Sequence, residues 1–154
     1  MCMVVITKDL IKQRFDEYNK AYFNNELPKC KFSVYNTKEE LGLYTRGSIW
    51  IARHPKNLSK TAVWTEALFK KVLIHEMVHH YVVTVKKKRS IFCPHGLRFR
   101  RKCWELKRLH NIDIELGVFI RRYAVLRQQP TLTFLNRVEL VYLRFLNYLL
   151  TWVF

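Results

Sequence analysis

The chain has 154 residues, 49% hydrophobic and 14% aromatic, with a formal net charge of +16 and a pI of about 10.0. That apolar content within one domain's length excludes a disordered chain and supplies a core that needs no staple. The charge implies an anionic partner, nucleic acid first and an acidic membrane surface second, unless it only marks a basic intracellular surface.

Cys2, Cys30, Cys93 and Cys103 form no C-x-x-C pair, which argues against a zinc ribbon and gives no disulfide framework. Before Lys8 the one apolar run is Val4-Val5-Ile6, too short for a signal-peptide core, so a reducing cytoplasmic location is the expectation.

From Thr7 to about Phe23, Leu10, Ile11, Phe15, Tyr18 and Tyr22 recur at helical spacing, with Thr7 as cap. Asn24-Asn25-Glu26-Leu27-Pro28 then breaks the pattern. Residues 31–36 alternate as a half-buried strand, a second strand covers Leu41 to Thr45, and Gly47-Ser48 turns into a third over Ile49 to Ala52. Short strands joined by short turns predict an antiparallel sheet, covered by the flanking helices. The next helix is expected from about Thr61 to Val85, with Val63, Ala67, Ile74, Met77, Val78 and Tyr81 facing the core. A further helix runs to about His110, and residues 112–116 alternate like a strand.

The chemistry lies on the central helix, where Leu73-Ile74-His75-Glu76-Met77-Val78-His79-His80 contains H-E-x-x-H. Four helical residues turn through about 400°, so His75 and His79 share a face and can grip one cation. Glu76 is rotated off that line, as suits a general base acting on water at the metal. Neutral imidazoles suit zinc, and a coordination position left to water lowers its pKa to about 7. A catalytic zinc takes three protein ligands. Among the remaining histidines, His95 before Gly96 is the best placed to return over the helix; spacing alone leaves it equally open as a surface histidine.

Several segments in order resemble the SprT-like metalloprotease domain. They are Tyr22 to Pro28, Gly42 to Ile51, Leu73 to His79, His95-Gly96-Leu97-Arg98-Phe99 and Asn111 to Ile114, so that the resemblance spans roughly residues 8–118. It implies Zn2+ held by His75, His79 and His95, with Glu76 as catalytic acid/base and protein as substrate. Pro94 stands where the family commonly has glycine, and the zinc ribbon of many bacterial relatives has no counterpart here.

Lys86, Lys87, Lys88, Arg89, Arg98, Arg100, Arg101, Lys102, Lys107 and Arg108 form a basic belt opposed only by Glu105. It could hold nucleic acid near the metal or be a solvated helix face. Phe92, Phe99 and Trp104 are too few to support base stacking, and Phe99 and Trp104 read as core. Tyr44, Arg46, Tyr81 and Arg98 could each stabilise an oxyanion, and the sequence does not choose among them.

The segment from Thr131 is long and apolar enough to suggest a membrane span, but Arg137, Glu139, Arg144 and Asn147 argue against insertion. An amphipathic helix is expected there, packing on its own domain, on a second copy or on a membrane surface.

The sequence therefore predicts an α+β, zincin-like single domain: a small antiparallel sheet packed with helices, H-E-x-x-H on the central helix, and an extra C-terminal helix. The metalloprotease domain is expected over residues 1–125 and an apolar extension over 126–154. The expected function is zinc-dependent hydrolysis of protein, on or near nucleic acid; the alternative is a nucleic-acid-binding protein with a structural zinc.

Overall fold

A computed structural model describes residues 3–37, 40–45, 47–55, 62–87 and 95–114. Helix α1 covers Lys8–Tyr22, strands β1, β2 and β3 cover Lys31–Tyr35, Gly42–Thr45 and Ser48–Ala52, and helices α2 and α3 cover Glu66–Thr84 and Leu97–His110. Small α+β architecture is as the sequence predicts.

Helix α1 begins where Thr7 Oγ1 accepts from the Leu10 amide at 3.1 Å, satisfying one of the unbonded amides of its first turn. Ile11, Phe15 and Tyr18 recur along one face and are buried. The helix stops at two left-handed residues, Asn24 with φ of 52° and Asn25 with φ of 57°. Asn19 then clamps the exit turn, donating from Nδ2 to the Leu27 carbonyl at 3.1 Å and accepting the Leu27 amide on Oδ1 at 3.2 Å.

The sheet has the order β1-β3-β2, with β1 parallel and β2 antiparallel to β3. This corrects the expected all-antiparallel sheet. Alternation fixes which side chains face the core, but it carries no information on strand partner or direction. The run Ile49-Trp50-Ile51-Ala52 is the most apolar of the three, and Ile49 and Ile51 are fully buried, so β3 takes the centre. Residues 36–47 are long enough to carry the chain past β3 and back along its far edge. Gly47, with φ of 77°, supplies left-handed backbone next to β3.

Helix α2 starts later than the apolar pattern suggests. Thr65 caps it, accepting the Leu68 amide on Oγ1 at 3.2 Å. Residues just before it are tied elsewhere: the Val4 amide donates to the Trp64 carbonyl at 2.9 Å, and Trp64 Nε1 donates to Ala52 O at 3.0 Å. Val63 and Ala67 are therefore exposed rather than part of the core stripe. Phe69, Leu73, Ile74, Met77, Val78 and Tyr81 are buried on several sides of α2, making it the central helix. Val85 and Lys86 both return amide bonds to the Tyr81 carbonyl, and Lys87 with φ of 49° ends the run.

Helix α3 buries Phe99, Cys103 and Leu106 and closes at Asn111, a left-handed C-cap with φ of 53°. After it Ile112 and Ile114 are buried around exposed Asp113. The expected alternation is present there, but residues 112–114 pair with no strand among the described residues. The boundary at 125/126, the extension over 126–154 and its predicted helix lie outside the described residues. Among the described residues no helix is long and apolar enough to cross a membrane.

Candidate metal centre

One helical turn on α2 brings His75 and His79 together, and the segment entering α3 brings His95 to them. The Nε2 atoms stand 3.0 Å apart for His75 and His95, 3.3 Å for His75 and His79, and 3.2 Å for His79 and His95. Three ring nitrogens in a closed triangle cannot all be satisfied by hydrogen bonds to one another, because a proton on one points at two lone pairs that then face each other. A cation at the centre satisfies all three.

The spacing can be tested against a metal. Zinc–nitrogen bonds of ~2.0–2.1 Å in a tetrahedron place ligand atoms about 3.3–3.4 Å apart, close to the triangle here. The donor set fits zinc and also other metals that favour imidazole.

Phe99 forms the floor of this cluster. Its ring centroid lies 4.9, 4.4 and 4.8 Å from those of His75, His79 and His95, and the residue is buried. The sequence places Phe99 in the core; its contact with all three imidazoles is additional. Its position one turn beyond His95 on α3 was the available signal.

Burial holds the imidazoles in the neutral, metal-binding form. His75 is pushed down to about 4, by burial first and then by His95. His79 is pushed down to about 3 by burial and then by its two neighbours in the cluster. His95 is lowered by burial and by the Arg100 guanidinium. Arg100 is itself buried, and its Nε donates to the His95 carbonyl at 3.1 Å, pinning the backbone of the third histidine.

Glu76 lies beside the triangle and is 5% exposed. Burial, with the charge of Glu40, raises its carboxyl to about 8, while the Tyr44 amide of β2 donates to it and opposes the shift. Gly42 on the same strand leaves room for it: an added Cβ would stand 2.8 Å from Glu76 Oε1. A glycine inside a strand is the sequence signal of such close approach.

The basic belt divides. Lys86, Lys87, Arg98, Arg101, Lys107 and Arg108 are exposed. Arg100 and Lys102 depart from the expected surface belt, because both are buried. Lys102 is buried, pairs with Glu105 Oε1 at 2.6 Å, and stacks its ammonium over the rings of Phe23 and Tyr81 at 5.1 and 4.8 Å. Lys88 and Arg89 lie outside the described residues, as do Cys93, Pro94 and Arg46. Cys103 is buried and its thiol is raised to about 12, which fits a small core hydrophobe rather than a reactive thiol. Of the four oxyanion candidates, Arg98 is exposed and Tyr81 packs its ring against Lys86 and Lys102.

None of the curated proteins compared matches the chain. The family model described as the SprT-like family matches residues 11–118, most of the 154 residues and all of the elements just described except the first turn of α1. With that match over well more than half its length, the chain belongs to the SprT-like family.

Proposed function

We propose that the protein is a zinc-dependent metalloendopeptidase of zincin type that hydrolyses peptide bonds of protein substrates. The observation that carries the reading is the convergence of His75, His79 and His95 within 3.0–3.3 Å beside a buried glutamate. These three histidines would hold the metal, and Zn2+ when bound supplies Lewis acidity and an acidified water. Glu76 takes a proton from the attacking water on a carboxylate oxygen and returns it to the leaving nitrogen. Burial and Glu40 raise its carboxyl to about 8, and a cation held by the three histidines would pull it down. Phe99 and the buried walls of α2 exclude water from one side of the cluster.

The exposed cations Lys86, Lys87, Arg98 and Arg101 flank the cluster in sequence and support a second element of the proposal, that substrates are met on or near nucleic acid. The same cations favour a rival reading, a nucleic-acid-binding protein with a structural zinc. Structural zinc sites close their shell with four protein ligands, and the described residues bring three histidines together, which favours the peptidase.

The test is zinc content and cleavage of a DNA-bound protein by wild type, Glu76→Ala and His95→Ala. The peptidase reading expects about one zinc per chain, retained in Glu76→Ala without cleavage and largely lost in His95→Ala. Wild type that binds zinc and DNA with steep salt dependence yet cleaves nothing would favour the rival.

A further inference from the structure

The run His75-Glu76-Met77-Val78-His79-His80 holds two pairs at four-residue spacing, His75 with His79 and Glu76 with His80. Each pair shares a helix face, and the second is rotated by about 100° from the first. The first pair faces His95. Both members of the second meet Tyr44 of strand β2, whose backbone amide donates to the Glu76 carboxyl and whose hydroxyl lies 3.2 Å from His80 Nδ1.

We propose that His80 and Tyr44 form a hydrogen-bonded tie that holds edge strand β2 against α2 and so orients the Glu76 carboxyl. His80 is a positioning residue, distinct from the three histidines of the metal cluster. The inference rests on the reading of Glu76 as the catalytic carboxyl.

The direction of each bond follows from its partners. His80 Nε2 lies 2.9 Å from the Pro28 carbonyl, which can only accept, so Nε2 carries the proton. A neutral ring then has a lone pair on Nδ1, and the Tyr44 hydroxyl donates to it. His80 is 1% exposed, with its ring between those of Phe15 and Tyr44 at 6.1 and 5.4 Å, so it has no room to swing toward another partner.

The far end of the tie is firm because Pro28 follows the turn that Asn19 clamps through Leu27. The near end is firm because Tyr44 sits in register with Ile49 of the central strand, which is fully buried. With the phenol proton given to His80, Tyr44 is not the oxyanion donor; its contribution to the site is its backbone amide. Glu76 thus lies between that amide and Gly42, whose lack of a side chain makes room for the carboxyl.

The test uses the zinc-loaded full chain and two NMR readouts. Hydrogen exchange at the residue-44 amide is compared in wild type, Glu76→Ala and Tyr44→Phe, with the Leu106 amide in α3 as internal reference. The tie expects exchange at residue 44 to quicken about tenfold in both variants, with Leu106 and zinc content unchanged. The ring nitrogens of His80, read by 15N shifts at neutral pH, are expected to show a protonated Nε2 and a bare Nδ1.

An amide at residue 44 as protected in Tyr44→Phe as in wild type would overturn the proposal, as would equal quickening at Leu106, which marks a general loss of stability. A His80 ring protonated on Nδ1 would overturn it too. Neither readout needs turnover. A chain that passes both and cleaves no protein would therefore sink the peptidase reading alone, and an active enzyme that fails them would sink the tie alone.

Discussion

Gly42 and Glu76 are in such close approach that a methyl group on Gly42 would meet Glu76 Oε1 and Val72 Cγ1 at 2.8 Å each. Of the two, the carboxyl end is the more easily displaced, because it terminates a longer side chain. Gly42→Ala is expected to cost about 1–3 kcal/mol of stability and to lower kcat about 100-fold, the scale set by an ångström of misplacement. Zinc content should stay at the wild-type level, since His75, His79 and His95 are untouched. Wild-type turnover in this variant would mean that the carboxyl's position is not critical.

The metal-free protein should show two opposed titrations. Below the ordinary imidazole value of 6.5, unfolded histidines take up protons that the folded His75 and His79 refuse until about 4 and 3, so stability falls as pH drops through that window. Above the ordinary carboxyl value of 4.5, an unfolded glutamate loses the proton that folded Glu76 keeps until about 8, so stability also falls as pH rises from 4.5 to 8. Glu76→Gln removes the second branch only. Urea unfolding with chelator present should find the variant gaining on wild type as pH rises across that range. Parallel curves for the two proteins would show that Glu76 is not held protonated.

Phe99 touches all three imidazoles from below, so its removal should loosen the ligand set as well as the core. Phe99→Ala is expected to cost about 3–5 kcal/mol and to weaken zinc binding about 10–100-fold; Phe99→Leu, which refills most of the volume, should recover much of both. Competition with a chromophoric chelator measures the affinity. If folded Phe99→Ala binds zinc as wild type does, the floor has no part in ordering the ligands.

Arg100 should act on His95 alone among the three histidines. Its Nε bond to the His95 carbonyl depends on the guanidinium fork, which lysine lacks. Arg100→Lys keeps the charge and is expected to weaken zinc binding about tenfold, on the scale of one charged hydrogen bond. Addition of His95→Ala should then cost less in the Arg100→Lys background than in wild type, and strictly additive losses would uncouple the two residues.

How far the sequence revealed the protein differs from element to element. His75, Glu76 and His79 were legible because a helix converts four-residue spacing into one face, and His95 because the ordered family segments brought it in. Thr7 was legible as a cap. The start of α2 was not, since Val63 continues the apolar pattern while Trp64 is tied by a backbone bond to Val4 and by its ring to Ala52. The sheet's order was hidden for a different reason: Phe32, Ile49 and Tyr44 each announce a face, and none announces a neighbour. Arg100 and Lys102 were grouped with surface cations by charge. Their places on α3, flanking Phe99, Cys103 and Leu106, would have shown that both border the core stripe.

The parallel pairing of β1 with β3 also bears on how the chain assembles. Strands β2 and β3 are neighbours in sequence, joined beside Gly47, and a hairpin of that kind closes in about 1–10 μs. Strand β1 can join only by a contact that spans β2, and non-local closure of this sort is slower. The hairpin carries Gly42 and Tyr44, which frame the carboxyl, whereas Glu76 itself and the clustered histidines come from α2 and the entry to α3. The carboxyl and the surfaces that frame it therefore come from separate stretches of chain, each able to organise before the other, and the candidate site is assembled only once α2 has docked on the hairpin.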